Sequence, residues 1–326
     1  MNRNDSFAVI AGQLKAAQTI LLFPHIHMDG DAMGSCAALC HVLRQMGKDC
    51  WVLREDSVPD NLRFLDRGYT TEDPDILGTP DICMCLDCGD ESRFPKRVER
   101  FRSGRTKICV DHHRSSEYIC DYNYIDPAAA AAGELVYPLI RALGQEPDAE
   151  CAEALFAAIT TDTGNFQYSN TNRESHRIMC ELYETGADFN RVSVQLYENN
   201  RLPGIRLHAL AMENLALSAD GRVASACITK EMQESCGADR QDSDGIVENL
   251  RSIAGVEIAL LVKESEEDTV RVSMRVKNIG DVASICEQFG GGGHTKAAGC
   301  TYHGSVQDAL QTFRALAEEN LANYAE

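Results

Sequence analysis

Short apolar runs alternate with helical periodicity through the first half of the chain. Residues 20–24 (ILLFP) form a continuous apolar run that ends in a Gly/Asp loop, and they predict a buried strand. A helical pattern covers about 32–46, and residues 50–53 predict the next strand. Residues 81–86 (DICMCL) and 107–110 (KICV) predict two more, each running into a polar cluster. Strands that alternate with helices imply βαβ units and a parallel sheet. Sites in such sheets open at the carboxyl ends of the strands, and the unusual residues of this chain fall there.

Residues 133–143, 149–159 and 173–184 carry amphipathic helical patterns. After Gly186 the character changes. Residues 188–217 look helical but are interrupted at Pro203-Gly204, as a connector would be. Residues 223–228, 256–262 and 270–276 predict strands, and about 281–288 and 306–324 predict helices. The fold class is therefore α/β: a parallel-sheet N-terminal domain (1–187), a helical linker (188–220) and a smaller α+β C-terminal domain (221–326).

A length of 326 residues supports two such cores. The charge narrows the function further. With 31 Lys+Arg against 50 Asp+Glu, the net charge of −19 excludes a protein that lays a basic face along a long nucleic-acid track. It does not exclude small phosphorylated substrates held at a local cationic or metal-rich site. No run approaches the ~20 apolar residues of a membrane span, and no signal layout opens the chain. A soluble cytoplasmic protein is expected. Most of the 14 cysteines sit in apolar runs, so reduced, buried thiols are expected rather than disulfides.

Four polar clusters stand at or near element ends. They are His25-x-His-x-Asp29-Gly-Asp31-x-x-Gly34-Ser35; Asp87 with Asp90; Asp111-His112-His113; and Thr160-Thr161-Asp162-Thr163-Gly164. Carboxylates and imidazoles converging from several strands suit Mn²⁺ or a similar divalent ion. Two ions sharing a carboxylate would polarise a phosphoryl oxygen and generate a hydroxide nucleophile. Asp29 and Asp31 flank a glycine and can address neighbouring ions. His112 and His113, adjacent in an extended segment, should point to opposite faces, one toward metal and one toward substrate. DGDAMG is not a calcium loop, because Cys40 stands where the closing Glu is required. Cys85-x-x-Cys88 has no second C-x-x-C to complete a zinc site.

A fifth cluster is Gly290-Gly291-Gly292-Gly293-His294-Thr-Lys296-Ala-Ala-Gly299, which fits neither the dinucleotide fingerprint nor the P-loop. Its glycines would let backbone N–H groups converge on an anion. Arg271, Arg275, Lys277 and Lys296 oppose only Asp281 and Glu287 between residues 270 and 303, a locally basic patch suited to phosphate.

Taken in order, these motifs resemble the DHH phosphoesterase superfamily with its DHH-associated C-terminal domain, in register over nearly the whole chain. Length and layout are most similar to the nanoRNase/pAp-phosphatase branch. The resemblance implies two divalent ions, most readily Mn²⁺, and an active site between the domains. It implies that His25, Asp29 and Asp87 hold one ion, and that Asp31, Asp87, His112 and Asp162 hold the other. His113 would contact the scissile phosphate, Arg275 and His294 would clamp it, and Gly291, Gly292 and Gly293 would line the substrate. Asp111 would orient the histidines.

The implied substrates are short oligoribonucleotides, degraded from an end, and 3′-phosphoadenosine 5′-phosphate (pAp), with a homodimer compatible. Rival readings are a phosphodiesterase for the linear dinucleotide pApA, an inorganic pyrophosphatase, and a catalytically inactive nucleotide-binding module. Two departures bear on substrate preference: alanines at 128–132 where Ser/Ser/Thr is frequent, and Val276 where serine is common. Both are expected to remove hydrogen bonds near the substrate.

Overall fold

The computed structural model describes residues 3–239, 241–265 and 268–324. It divides into two units, the first ending at Asn199 and the second beginning at Asn200. In the first, α1 (Phe7–Ala16) precedes β1 (Thr19–Phe23). Next come α2 (Gly30–Gln45), β2 (Asp49–Leu53), β3 (Thr70–Thr71), β4 (Ile82–Leu86), α3 (Val98–Arg102), β5 (Thr106–Asp111) and β6 (Tyr122–Ile125). Helices α4 (Gly133–Ala142), α5 (Ala149–Asp162), α6 (Arg173–Tyr183) and α7 (Phe189–Tyr197) complete the unit.

The strands pair in the order β3-β2-β1-β4-β5-β6, all parallel. Side chains alternate between two cores. Ile20, Leu22, Ile82, Met84, Ile108 and Val110 face the larger one, while Leu21, Phe23, Cys83, Cys85 and Cys109 face a second with Phe94 and Phe101. Burial on both faces is why these strands read as continuous apolar runs. All 14 cysteines are free thiols and ten are buried; burial pushes the Cys83 thiol up to about 12. They serve as small core residues.

Strand order reverses between β1 and β4, which opens a crevice at their carboxyl ends. Helix α2 starts at that crevice and packs closely on α5. A Cβ at Gly34 would lie 2.4 Å from the Ala154 carbonyl oxygen, and one at Gly30 would lie 2.4 Å from Thr161 Oγ1. The first turn of α2 therefore lies on the last turn of α5, which brings Asp31 toward Asp162.

The second unit contains α8 (Leu202–Glu213), β7 (Ala216–Leu217), β8 (Val223–Ile228), α9 (Lys230–Cys236), α10 (Ile246–Ser252), β9 (Ile258–Glu264) and β10 (Thr269–Val276). It continues with α11 (Val282–Glu287), β11 (Gly292–His294), β12 (Ala297–His303) and α12 (Val306–Ala322). The sheet order is β11-β12-β10-β9-β8-β7, antiparallel except for the β8–β9 pair. One face packs on α11 and α12, the other on α8, α9 and α10.

The predicted break at Pro203-Gly204 falls instead at residues 198–201. Pro203 lies in the first turn of α8, where its missing N–H costs no helical hydrogen bond. The last two of the four glycines open an edge strand, Gly292–His294, in a hairpin with β12. Cβ atoms at Gly291 and Gly293 would lie 2.3 and 2.4 Å from the carbonyl oxygens of Gly299 and Ala297, so close strand approach dictates these glycines. Among the described residues, no helix is long and apolar enough to cross a membrane.

Candidate metal centre

The β1 strand delivers the chain to His25, whose Nδ1 bonds the Ile26 carbonyl at 2.7 Å, leaving Nε2 to point toward carboxylates. That Nε2 lies 3.6 Å from Asp29 Oδ2 and 3.5 Å from Asp87 Oδ2. Asp29 caps α2, accepting from the N–H groups of Asp31 and Ala32. Asp31, one residue into α2, is fully enclosed. Its carboxylate accepts from Ser35 Oγ at 3.0 Å, Ala132 N at 2.5 Å and Gly133 N at 2.9 Å.

Asp87 follows β4 with φ +57, a left-handed conformation that a non-glycine residue adopts at a cost of roughly 1–3 kcal/mol. Its backbone N–H bonds the Val110 carbonyl. The two carboxylate oxygens face different imidazoles: Oδ2 faces His25, and Oδ1 lies 3.3 Å from His112 Nε2.

His112 and His113 do not point to opposite faces. The β5 strand ends at Asp111, whose Oδ1 accepts from both following backbone N–H groups and from His113 Nδ1 at 2.8 Å. This turns the chain out of the extended state, and the two rings lie 4.7 Å apart with both reaching Asp87 Oδ1. Asp111 also accepts from Ser116 Oγ, so it orients the histidines as expected from its place in the motif. His112 Nδ1 lies 3.2 Å from the Ala129 carbonyl, and Nε2 lies 3.4 Å from Asp162 Oδ2 at the end of α5. Asp90 is elsewhere: it caps a short 3₁₀ turn through Ser92 N.

Three sets of ligand atoms each fit within 4.8 Å: His25, Asp29 and Asp87; Asp31, His112 and Asp162; Asp87, His112 and His113. Buried His25 Nε2 and Asp87 Oδ1 have no hydrogen-bond partner. Orphaned, convergent donor atoms of this kind fit a cation, since buried polar atoms are otherwise paired.

The electrostatics agree. Burial, with Asp87 and Asp162 nearby, drives Asp31 well above its ordinary value. Burial and the Asp29 and Asp87 charges raise Asp162 to about 7, with His112 opposing. For Asp87, burial is outweighed by His112 and His25, which hold it well below the usual carboxylate range. Burial would lower His112, but Asp87, Asp31 and Asp162 lift it to about 11. So much negative charge in one place needs protons or a metal.

In the second unit, the register places Arg275 opposite Ala297 and Ala297 opposite His294. Directly opposed residues share a face, so Arg275 and His294 flank a small alanine in one row across three strands. The basic patch is smaller than the sequence window suggests. Arg275 Nε bonds Glu248 Oε1 of α10 at 2.8 Å, and Lys277 Nζ bonds the Ile253 carbonyl at 2.6 Å. Val276 points to the opposite face and is buried against α11 and α12. Its departure from serine therefore removes nothing from the Arg275 face. The alanines at 128–132 work through their main chain, as the bonds to Asp31 and His112 show. Sequence reasoning named Ser35 in the first motif without a role, and missed Ser116 and Asn170. Asn170 Nδ2 bonds both the Ala130 and Asp162 carbonyls at 3.0 Å, and no local pattern announces it.

A parallel sheet that gathers carboxylates and imidazoles at its strand ends, followed by a second α+β unit, defines a hydrolase of the phosphoesterase class. Residues 19–159 match the N-terminal domain of the DHH family, and residues 222–323 match the DHHA1 domain. The chain belongs to the DHH family, within its nanoRNase branch. It is 32% identical over 304 residues to the bifunctional oligoribonuclease and PAP phosphatase NrnA of Thermus thermophilus, covering 92% of this chain and 89% of that protein. It is 27% identical over 289 residues to the protein of the same name from Bacillus subtilis, covering 87% and 90%. An exopolyphosphatase-related protein from Bacteroides fragilis superposes with a TM-score of 0.90 at 26% identity, covering 96% and 95% of the two chains.

Proposed function

We propose that this protein degrades short oligoribonucleotides from an end and dephosphorylates pAp, using two divalent ions, Mn²⁺ foremost. The observation that carries the reading is Asp87, whose two carboxylate oxygens face separate imidazoles while Oδ1 has no hydrogen-bond partner. Such a carboxylate can bridge two ions. His25 and Asp29 would complete one site, and Asp31, His112 and Asp162 the other. Mixed imidazole and carboxylate donors without thiolate suit Mn²⁺. When bound, the ions supply Lewis acidity for the phosphoryl oxygens and lower the pKa of a water.

The chain's own groups do the rest. His113, held through Nδ1 by Asp111, presents its ring beside Asp87 and would contact the scissile phosphate. Arg275 and His294, on one row of the second sheet, would clamp the substrate phosphate, with Gly291, Gly292 and Gly293 lining it. Residues 1–187 would thus carry the metal chemistry and the His113 contact, and residues 221–326 the remaining substrate contacts. The names of the two relatives support this substrate pair.

The test is a panel with Mn²⁺: pAp, pApA, pyrophosphate, and RNA of two, five and twenty-four nucleotides, each at two salt concentrations. Because the chain carries −19, RNA that extends past the site should meet repulsion. kcat/KM should peak at pAp or at two to four nucleotides and fall steeply for the longest RNA. Raising salt should ease that penalty, as the Debye length shrinks from ~10 Å at 0.1 M to ~3 Å at 1 M. Equal or better rates on the longest RNA, weakened by salt, would overturn the reading, as a basic groove behaves that way. Exclusive turnover of pApA or pyrophosphate, or no turnover of any substrate, would favour the rivals.

A further inference from the structure

Glu134, the second residue of α4, is a buried carboxylate outside the ligand set. One oxygen accepts from Ser175 Oγ. The other accepts from Ala130 N at 2.9 Å and Asn172 Nδ2 at 3.1 Å. Asn172 and Ser175 form the capping box of α6, so the carboxylate joins the starts of two helices to the alanine loop at 128–133.

That loop is linked to every member of one candidate ligand group, to Asp31 and His112 directly and to Asp162 through Asn170. Ala132 N and Gly133 N hold the two oxygens of Asp31, and the Ala129 carbonyl meets His112 Nδ1. Asn170 spans from the Ala130 carbonyl to the backbone of Asp162. The alanine side chains bring no polar atom to the loop, so its shape rests on main-chain bonds and on the side chains of Asp126, Asn170 and Glu134, of which Glu134 alone also ties it to the start of α6. His25 and Asp29 are held differently, by the Ile26 carbonyl and by the start of α2.

We infer that Glu134 is a positioning residue for the Asp31–His112–Asp162 group: by fixing the loop at 128–133, it sets the affinity of that ion site and leaves the His25–Asp29 site untouched. The inference rests on the two-ion reading above. Outer partners of metal ligands typically change affinity by about 10–100-fold when removed.

The test titrates Mn²⁺ into the full chain by calorimetry and records thermal stability, for the wild type, Glu134→Ala and Glu134→Gln. Asp31→Asn marks which ion belongs to the group. The wild type should bind two ions. Glu134→Ala should weaken the marked ion about 10–100-fold and leave the other unchanged. Glu134→Gln should weaken the same ion less. Its amide oxygen can still accept from Ala130 and Asn172, and its NH₂ can donate to Ser175 Oγ. Should Glu134→Ala not fold, the selectivity seen in Glu134→Gln decides.

A folded variant that is less stable but binds both ions normally would make Glu134 a structural tie only and overturn the positioning role, as would equal weakening of both ions. In either case the two-ion reading survives. A wild type that binds no Mn²⁺ would overturn both.

Discussion

The two sheets hold their functional groups in different ways. In the first, the candidate ligands stand at the ends of buried parallel strands and at the ends of α2 and α5, and several are fixed by further bonds. Asp31 has three donors, His112 meets the Ala129 carbonyl, and His25 meets its neighbouring carbonyl. In the second, His294 lies exposed on an edge strand, and Arg275 is half-buried beside Glu248. All three metal-capable groups among the described residues lie in the first unit. Groups that would meet an ion in fixed geometry are tied down, while Arg275 and His294, proposed to meet a substrate, are left reachable.

The sharpest way to break this contrast is at Asp87. Asp87→Ala should abolish turnover and lower metal occupancy while circular dichroism stays native, because a strand-end side chain packs no core. Retention of more than about a tenth of the activity would remove Asp87 from the bridging role, as losing a metal ligand normally costs far more.

The second unit should behave oppositely. Arg275→Ala and His294→Ala should each cost about 2–4 kcal/mol in transition-state stabilisation while Mn²⁺ titration stays as in the wild type. If either variant loses both ions, the division of labour is wrong.

The smallest effect is a pH slope. Without metal, Asp162 is raised from its ordinary 3.8 to about 7 and His112 from 6.5 to about 11. The folded protein therefore keeps protons that the unfolded chain has released, for Asp162 between those first two values and for His112 between the second two. Fewer protons on the unfolded state means that stability falls as pH rises across the window. The melting temperature of the chelated protein should decline from about pH 5 to about pH 9, and the gain on adding Mn²⁺ should grow over the same range, because metal replaces those protons. A flat profile with chelator would show that the cluster is not strained in this way.

Much of the first unit was legible because its strands end in chemistry. An apolar run that stops at His25, at Asp87 or at Asp111 marks its own topology, and the ligand candidates follow from those endings. What could not be read depended on partners far away in sequence. His112 and His113 face the same way because Asp111 captures both following amides, which overrides strand alternation. Arg275 looked uncommitted because Glu248 lies outside the window in which charges were weighed. The hairpin of β11 and β12 was hidden because glycines carry no side-chain periodicity, although their close backbone approach is what the glycines serve. Glu134 stood beside the alanine run, yet two of its three donors, Asn172 and Ser175, come from the start of α6.

The alanine loop has a consequence for how variation in this enzyme should be interpreted. Its contribution to Asp31 and His112 is made by peptide groups, which every residue possesses and only proline lacks in part. A comparison that scores side chains counts this stretch as an eroded motif, whereas a comparison that scores peptide geometry counts it as intact. Tolerance here should follow volume and the presence of an amide hydrogen, not polarity, so a serine and an alanine are near-synonyms at these positions and a proline at 132 or 133 is a different word.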